Sequence, residues 1–306
     1  MRLIFIATGD IALPSFRYLL ENGPRPLALV TQPDKPVGRH QVLTPPAIKT
    51  EAIAAGIPVY QPETIGDITE ELAALAPEVL VVMAYGQILR QNILTLASKA
   101  IINLHASLLP KYRGAACIQA AIDAGDAETG ITAMHVVRAL DAGDMIVSRA
   151  IPIAADETGG SLHDRLAELS PQVLGDALEQ LAAGTAARTP QDDATSSYIS
   201  KLDREHGKID WTIDAAAIER RIRAYDPWPG TYAVADENGQ PKRLKVFPPA
   251  TVVECALAPG EISTIGGDLV VGCGKGAVRL SMVQPDGGRR MDAGDYLRGR
   301  KPISLS

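Results

Sequence analysis

Leu3-Ile4-Phe5-Ile6-Ala7-Thr8-Gly9-Asp10 is a short, unbroken apolar run that ends in turn residues, and helical spacing that opens on a proline follows over residues 14–21. A run that is apolar at every position predicts a strand buried on both faces, as in a parallel sheet covered by helices. Residues 27–31, 79–84 and 101–104 repeat the pattern, with helices predicted over 46–55 and 67–75 between them. Residues 132–138 and 145–153 read as two further strands joined by a tight turn at Asp141-Ala142-Gly143-Asp144. A long helix over 161–183, ended by Gly184, completes a predicted α/β, Rossmann-like domain with a mostly parallel sheet over residues 1–183.

The chain changes character after Gly184. Residues 184–206 are polar and aperiodic, the composition expected of a linker. Beyond them a helix predicted at 215–224 precedes short β-type runs at 231–235, 244–247, 251–254, 269–272 and 277–283, and a final helix starts near Asp292. Short strands separated by Gly, Pro and Asp turns predict a small, OB-like β-barrel over residues 207–306. Gly272-Cys273-Gly274-Lys275-Gly276 has Gly276 where a phosphate-binding P-loop needs Ser or Thr, so it reads as a hairpin turn.

Composition narrows the function classes. Of 306 residues, 46% are hydrophobic and 22% charged, which excludes a disordered or fibrous chain. No run approaches the roughly 20 apolar residues of a membrane span, and the apolar run after Met1-Arg2 is too short for a secretory signal. Cys117, Cys255 and Cys273 lie far apart, giving neither a disulfide framework nor a metal clip and predicting a reducing, cytoplasmic setting. The net charge of −6 argues at first against a nucleic-acid partner. That average conceals an asymmetry, because residues 201–306 hold 16 Lys and Arg against 14 Asp and Glu, leaving 14 against 22 for residues 1–200. Total charge therefore excludes no RNA partner. Nothing in the sequence demands more than a monomer.

Open α/β sheets bind ligands beyond the carboxyl ends of their strands. The first such loop has one glycine, Gly9, where a dinucleotide fingerprint needs three. Ile101-Ile102-Asn103-Leu104-His105 is richer: strand alternation projects Asn103 and His105 from one face, about 7 Å apart. An amide donor beside an imidazole suits a developing oxyanion. The plain alternative makes Asn103 a turn cap and His105 a satisfied buried histidine. The apolar start of Ser107-Leu108-Leu109-Pro110-Lys111-Tyr112-Arg113-Gly114 offers a wall for a flat ligand. A carboxylate from the 141–144 turn can reach the same sheet end, where it would orient His105 and favour its imidazolium, although Asp and Gly are also what any turn uses.

With Asp141 standing 36 residues after His105, Asn103-x-His105 and the loop that follows resemble the 10-formyltetrahydrofolate-dependent formyltransferase family. The resemblance extends through Gln32-Pro33-Asp34-Lys35-Pro36-Val37-Gly38-Arg39, Val82-Met83-Ala84-Tyr85-Gly86-Gln87-Ile88-Leu89, Ile209-Asp210-Trp211 and Ile222-Arg223-Ala224-Tyr225-Asp226-Pro227-Trp228-Pro229-Gly230. It is strongest with the branch that formylates methionyl-initiator tRNA. The resemblance implies catalytic roles for Asn103, His105 and Asp141, and no metal. It implies 10-formyltetrahydrofolate against Met83, Tyr85, Gly86, Ile88 and Leu89 and against Ser107, Leu108, Leu109 and Pro110. It also implies tRNA contacts at Lys35, Arg39, Arg220, Arg221 and Arg223, with Arg289, Arg290, Arg298, Arg300 and Lys301 as a second basic group. Formylation of an amino-sugar nucleotide by the same three residues is the alternative. A non-catalytic RNA- or nucleotide-binding protein on the same sheet is the alternative from another class, and the presence of all three residues speaks against it.

Overall fold

The computed structural model describes residues 1–306 except Arg39, Asn238 and Lys301. Contacts divide them into two units: Met1–Gly114, Thr129–Ile151 and His163–Tyr198 form the first, and Ala115–Glu128, Pro152–Leu162 and Ile199–Ser306 the second.

The first unit holds a seven-stranded sheet, in the order Met145–Pro152, Glu128–His135, Ala100–His105, Val79–Met83, Leu3–Ala7, Ala28–Val30, Val59–Tyr60. Its central pairs are parallel, whereas Ala100–His105 meets Glu128–His135 antiparallel, with His105 opposite Thr132. Every residue of Leu3–Ala7 and Val79–Met83 is buried, as an unbroken apolar run requires. Ile4, Ile6, Val30, Leu72, Leu80 and Ile93 pack on one face of this sheet. Each such side chain contributes about 1.5–3 kcal/mol by leaving water, which makes the centre of the sheet a firm support for what its strand ends carry.

Of the departures from expectation in this unit, two have a local physical reason. The strand expected at 132–138 runs over Glu128–His135. The strand includes Gly130, where a Cβ would sit 2.1 Å from the Arg149 carbonyl oxygen and 2.7 Å from the Leu108 side chain, so the glycine serves the close approach of neighbouring backbone. Residues 35–44, where no strand is expected, contain a ribbon in which Lys35–Val37 pairs antiparallel with Val42–Thr44. All six paired residues are exposed, and a ribbon with no buried face leaves no alternation to read.

The second unit is built on an antiparallel sheet in the order Thr231–Glu237, Gln240–Val253, Ala277–Pro285, Leu269–Gly272, Ile262–Ser263, with Met291–Asp292 also pairing with Ala277–Pro285. The strands expected at 244–247 and 251–254 are one strand whose register shifts between Phe247 and Ala250. Pro248 and Pro249 have no N–H for the ladder, so the strand bends there without ending. Gly272 pairs with Ala277, which makes the glycine-rich stretch between them a hairpin turn, as expected. The helix Ala215–Ala224 lays Ile218 and Ile222, four residues apart, onto Leu244, Val246, Val278 and Leu280. Asp292 caps the last helix, Ala293–Gly299, its carboxylate accepting from the Gly294 N–H at 2.7 Å. Among the described residues no helix is long and apolar enough to cross a membrane.

Candidate active site

Asn103 and His105 lie at the carboxyl end of Ala100–His105, as alternation predicts. Asn103 is half-buried, and its carboxamide has no hydrogen-bond partner among the described residues. His105 is buried, with Nε2 2.8 Å from the Tyr112 carbonyl oxygen and Nδ1 3.7 Å from Asp141 Oδ2. A carbonyl oxygen only accepts, so the short contact puts a proton on Nε2. The proton that charges the ring is then the one on Nδ1, the edge turned to Asp141. At 3.7 Å that pair exceeds a direct hydrogen bond and works as a charge contact with room to tighten.

Asp141 sits in the turn after Glu128–His135. Its Oδ2 accepts from the Gly114 N–H at 2.8 Å. Its backbone is left-handed, with φ of 50°, and Tyr112 and Ala84 share that conformation at 59° and 47°. Three non-glycine residues held this way at neighbouring strand ends mark a region where the surroundings override local preference. Gly143 closes the same turn: a Cβ there would stand 1.7 Å from the His135 carbonyl oxygen. Gly143→Ala is therefore expected to displace the Asp141 turn, costing about 1–3 kcal/mol of stability and lowering turnover, as urea unfolding and kcat would show.

The loop after His105 is tied down by its own polar groups. Thr132 Oγ1 donates to the Ser107 carbonyl oxygen at 2.7 Å and accepts from the Leu109 N–H at 3.2 Å, while Ser107 Oγ donates to the Lys111 carbonyl oxygen at 2.7 Å. Ser107 and Leu109 are buried, and Leu108 and Pro110 half-buried. Val79–Met83 and Ala100–His105 are parallel neighbours, so residues 84–89 and 106–110 leave from the same sheet edge. Met83 and Tyr85 are buried, Leu89 is half-buried, and Gly86 and Ile88 are exposed, Ile88 at 78%. The Tyr85 hydroxyl is buried without a partner among the described residues, and burial pushes its pKa up to about 12. Its carbonyl oxygen accepts from Gln32 Nε2 at 2.5 Å. No charged side chain occurs at 83–89 or 107–110, a set suited to a flat, neutral ring.

The residues expected to meet tRNA are placed as follows. Lys35 is exposed on the ribbon and hydrogen-bonds Gln32, and Arg39 lies outside the described residues. In the second unit Arg220 Nε donates to the Asp123 carbonyl oxygen at 3.0 Å, and Arg221 meets the Asp123 carboxylate at 3.1 Å. Arg223 pairs with Glu219 and donates to the Glu157 carbonyl oxygen at 2.8 Å. In the structure each of these three arginines, for which the resemblance implies tRNA contacts, is engaged with its own unit. Arg298 pairs with Asp295 and Arg300 with Glu237, whereas Arg289 and Arg290 are exposed, the Arg290 guanidinium 4.2 Å from the centre of the Phe247 ring.

Two residues without a predicted role belong to the site's frame. Gln191 Nε2 donates to the carbonyl oxygens of Asp141 and Gly143, both at 2.8 Å, and its Oε1 accepts from Arg113 Nε at 2.9 Å. Arg113, 2% exposed, also donates to the Tyr198 hydroxyl and to Asp193, both at 2.8 Å. Burial opposes its charge, but these hydrogen bonds outweigh that and hold the guanidinium above its ordinary pKa. A lone glutamine in an aperiodic polar stretch gives no sequence signal of this contact.

A family model described as formyl transferase matches residues 1–178, and one described as formyl transferase, C-terminal domain, matches residues 201–301. The methionyl-tRNA formyltransferase of Akkermansia muciniphila is 48% identical over 304 residues, covering 98% of this chain and 96% of its own. That of Geobacter metallireducens is 42% identical over 302 residues, again covering 98% and 96%. Among solved structures, an N-formyltransferase from Helicobacter canadensis in complex with folinic acid and dTDP-3-aminofucose superposes with a TM-score of 0.68 at 19% identity, over 95% of this chain and 100% of that one. HypX from Aquifex aeolicus in complex with tetrahydrofolic acid superposes with a TM-score of 0.61 at 19% identity, over 97% of this chain and 47% of that one. These two share the fold.

Proposed function

From the premise that the chain belongs to the formyl transferase family, we infer that it transfers a formyl group from a folate-derived donor to the amine of methionyl-tRNA. The donor in this reading is 10-formyltetrahydrofolate and the acceptor the α-amine of methionyl-initiator tRNA, giving N-formylmethionyl-tRNA for translation initiation. The observation that carries it is an uncommitted Asn103 amide two residues from a buried His105 whose Nδ1 edge faces Asp141.

The donor supplies an electrophilic carbonyl whose oxygen gains negative charge as the amine attacks its carbon; the tetrahedral intermediate then collapses, the bond from that carbon to the folate nitrogen breaks, and tetrahydrofolate leaves with the proton given up by the amine. The Asn103 N–H groups and a protonated His105 stabilise that oxygen from fixed positions. Tyr112 holds the ring through Nε2, and Asp141 compensates the imidazolium and takes the amine proton, directly or through water. The neutral, partly exposed surface from Met83 to Leu89 and from Ser107 to Pro110 fits the pterin, with backbone groups reading its edge. Residues 1–183 carry the transfer in this reading. Residues 207–306, with Lys35 and Arg39, grip the tRNA, and the enzyme acts as a cytoplasmic monomer.

An amino-sugar nucleotide is the second reading, favoured by the likeness to the Helicobacter canadensis fold. Near-full-length identity of 48% and 42% with enzymes named for methionyl-tRNA favours the first. Competing methionyl-initiator tRNA and a dTDP-amino sugar for formyl from 10-formyltetrahydrofolate decides between them: formylated tRNA is expected, and formylated sugar alone would overturn the acceptor.

A further inference from the structure

The stretch 184–206 reads as a linker, yet its Gln191 carboxamide is saturated by the two loops that carry His105's partners. Nε2 holds the main chain of Asp141 and Gly143, and Oε1 holds Arg113 Nε. Gly114, next to Arg113, donates its N–H to Asp141 Oδ2 at 2.8 Å. One side chain therefore grips the turn that presents the carboxylate and, through Arg113, the backbone that anchors that carboxylate. The turn needs such a grip, because Asp141 has a φ of 50° and Gly143 lies against the His135 carbonyl. The same stretch steadies the histidine's other partner, since Ser197 Oγ accepts from the Tyr112 N–H at 2.9 Å and the Ser197 carbonyl oxygen from the Arg113 N–H at 2.7 Å.

We propose that Gln191 is a positioning residue for Asp141, fixing the carboxylate opposite His105 without touching substrate. The proposal rests on the reading of Asp141 as a catalytic group. A glutamine that merely stabilised the fold would lower the amount of folded enzyme. A positioning glutamine lowers the turnover of enzyme that is fully folded, and does so only while Asp141 is present.

A double-mutant cycle on the full chain separates these roles. Gln191→Met keeps the length and bulk of the side chain without its amide, and Gln191→Ala is the second variant should methionine overfill the site. Each is made alone and with Asp141→Asn, and circular dichroism and the urea midpoint establish folding. The expected result is a kcat lowered roughly 10- to 100-fold in folded Gln191→Met, with KM for 10-formyltetrahydrofolate and methionyl-initiator tRNA within about twofold of wild type. In the Asp141→Asn background the same change should cost less than about twofold more. Additive losses, or wild-type kcat in both folded Gln191 variants, would overturn the proposal while leaving Asp141's role intact. Wild-type turnover of Asp141→Asn alone would overturn the proposal together with its premise.

Discussion

His105→Ala is expected to lower kcat by about 10²- to 10³-fold at saturating donor and acceptor, the loss that follows removal of one oxyanion donor. In the proposed mechanism the ring acts on the reacting centre as a charged donor, so its removal would take away an interaction that exists mainly in the transition state. KM for both substrates should therefore change little. Folding should survive, because the Tyr112 carbonyl oxygen that loses its 2.8 Å contact with the ring also accepts from Ser107 Oγ at 3.5 Å. The check is steady-state kinetics beside the urea midpoint. Near-wild-type kcat in the folded variant would remove His105 from the chemistry.

Arg113→Ala should have the largest effect on stability, about 2–5 kcal/mol by urea unfolding. Its ion pair contributes little of this, since the Asp193 carboxylate is 84% exposed and screened by water. The loss comes from deleting a 2% exposed side chain and leaving Gln191 and the Tyr198 hydroxyl without their donor. Arg113→Lys should recover only part of it, because one ammonium cannot match a planar guanidinium that reaches three acceptors in different directions. Turnover should fall with stability in Arg113→Ala, because the Asp141 turn loses the other end of the Gln191 brace. An unchanged midpoint would show that the buried guanidinium is dispensable.

What was legible in the sequence follows from what local patterns encode. Unbroken apolar runs at Leu3–Ala7 and Val79–Met83 announced buried parallel strands, and alternation set Asn103 and His105 at one strand end. Asp292 announced a helix start through capping chemistry, while the identical Asp-Ala-Gly-Asp at 141–144 builds a turn, because tertiary hydrogen bonds from Gln191 and Gly114 hold it there. The strand over Gln240–Val253 hid behind Pro248-Pro249, which interrupts the ladder without ending the strand. The reason for Gly130 inside a strand was not legible, because contact with the Arg149 backbone lies elsewhere in the chain. The partners of Arg220, Arg221 and Arg223 were not legible, because Asp123 and Glu157, which engage them, are far away in sequence. Gln191 was invisible for the same reason. A side chain whose role is to join two distant loops leaves no periodicity of its own.

The sheet end carrying Asn103 is expected to transfer formyl to methionyl-tRNA. The most direct test is single-turnover transfer of labelled formyl from 10-formyltetrahydrofolate to methionyl-initiator tRNA, by the wild-type chain and by Asn103→Ala. The expected result is label on the methionine α-amine with the wild type, and a rate about 10²- to 10³-fold slower with the folded variant. Equal rates from the two proteins, or no label on the tRNA from the wild type, would contradict the account.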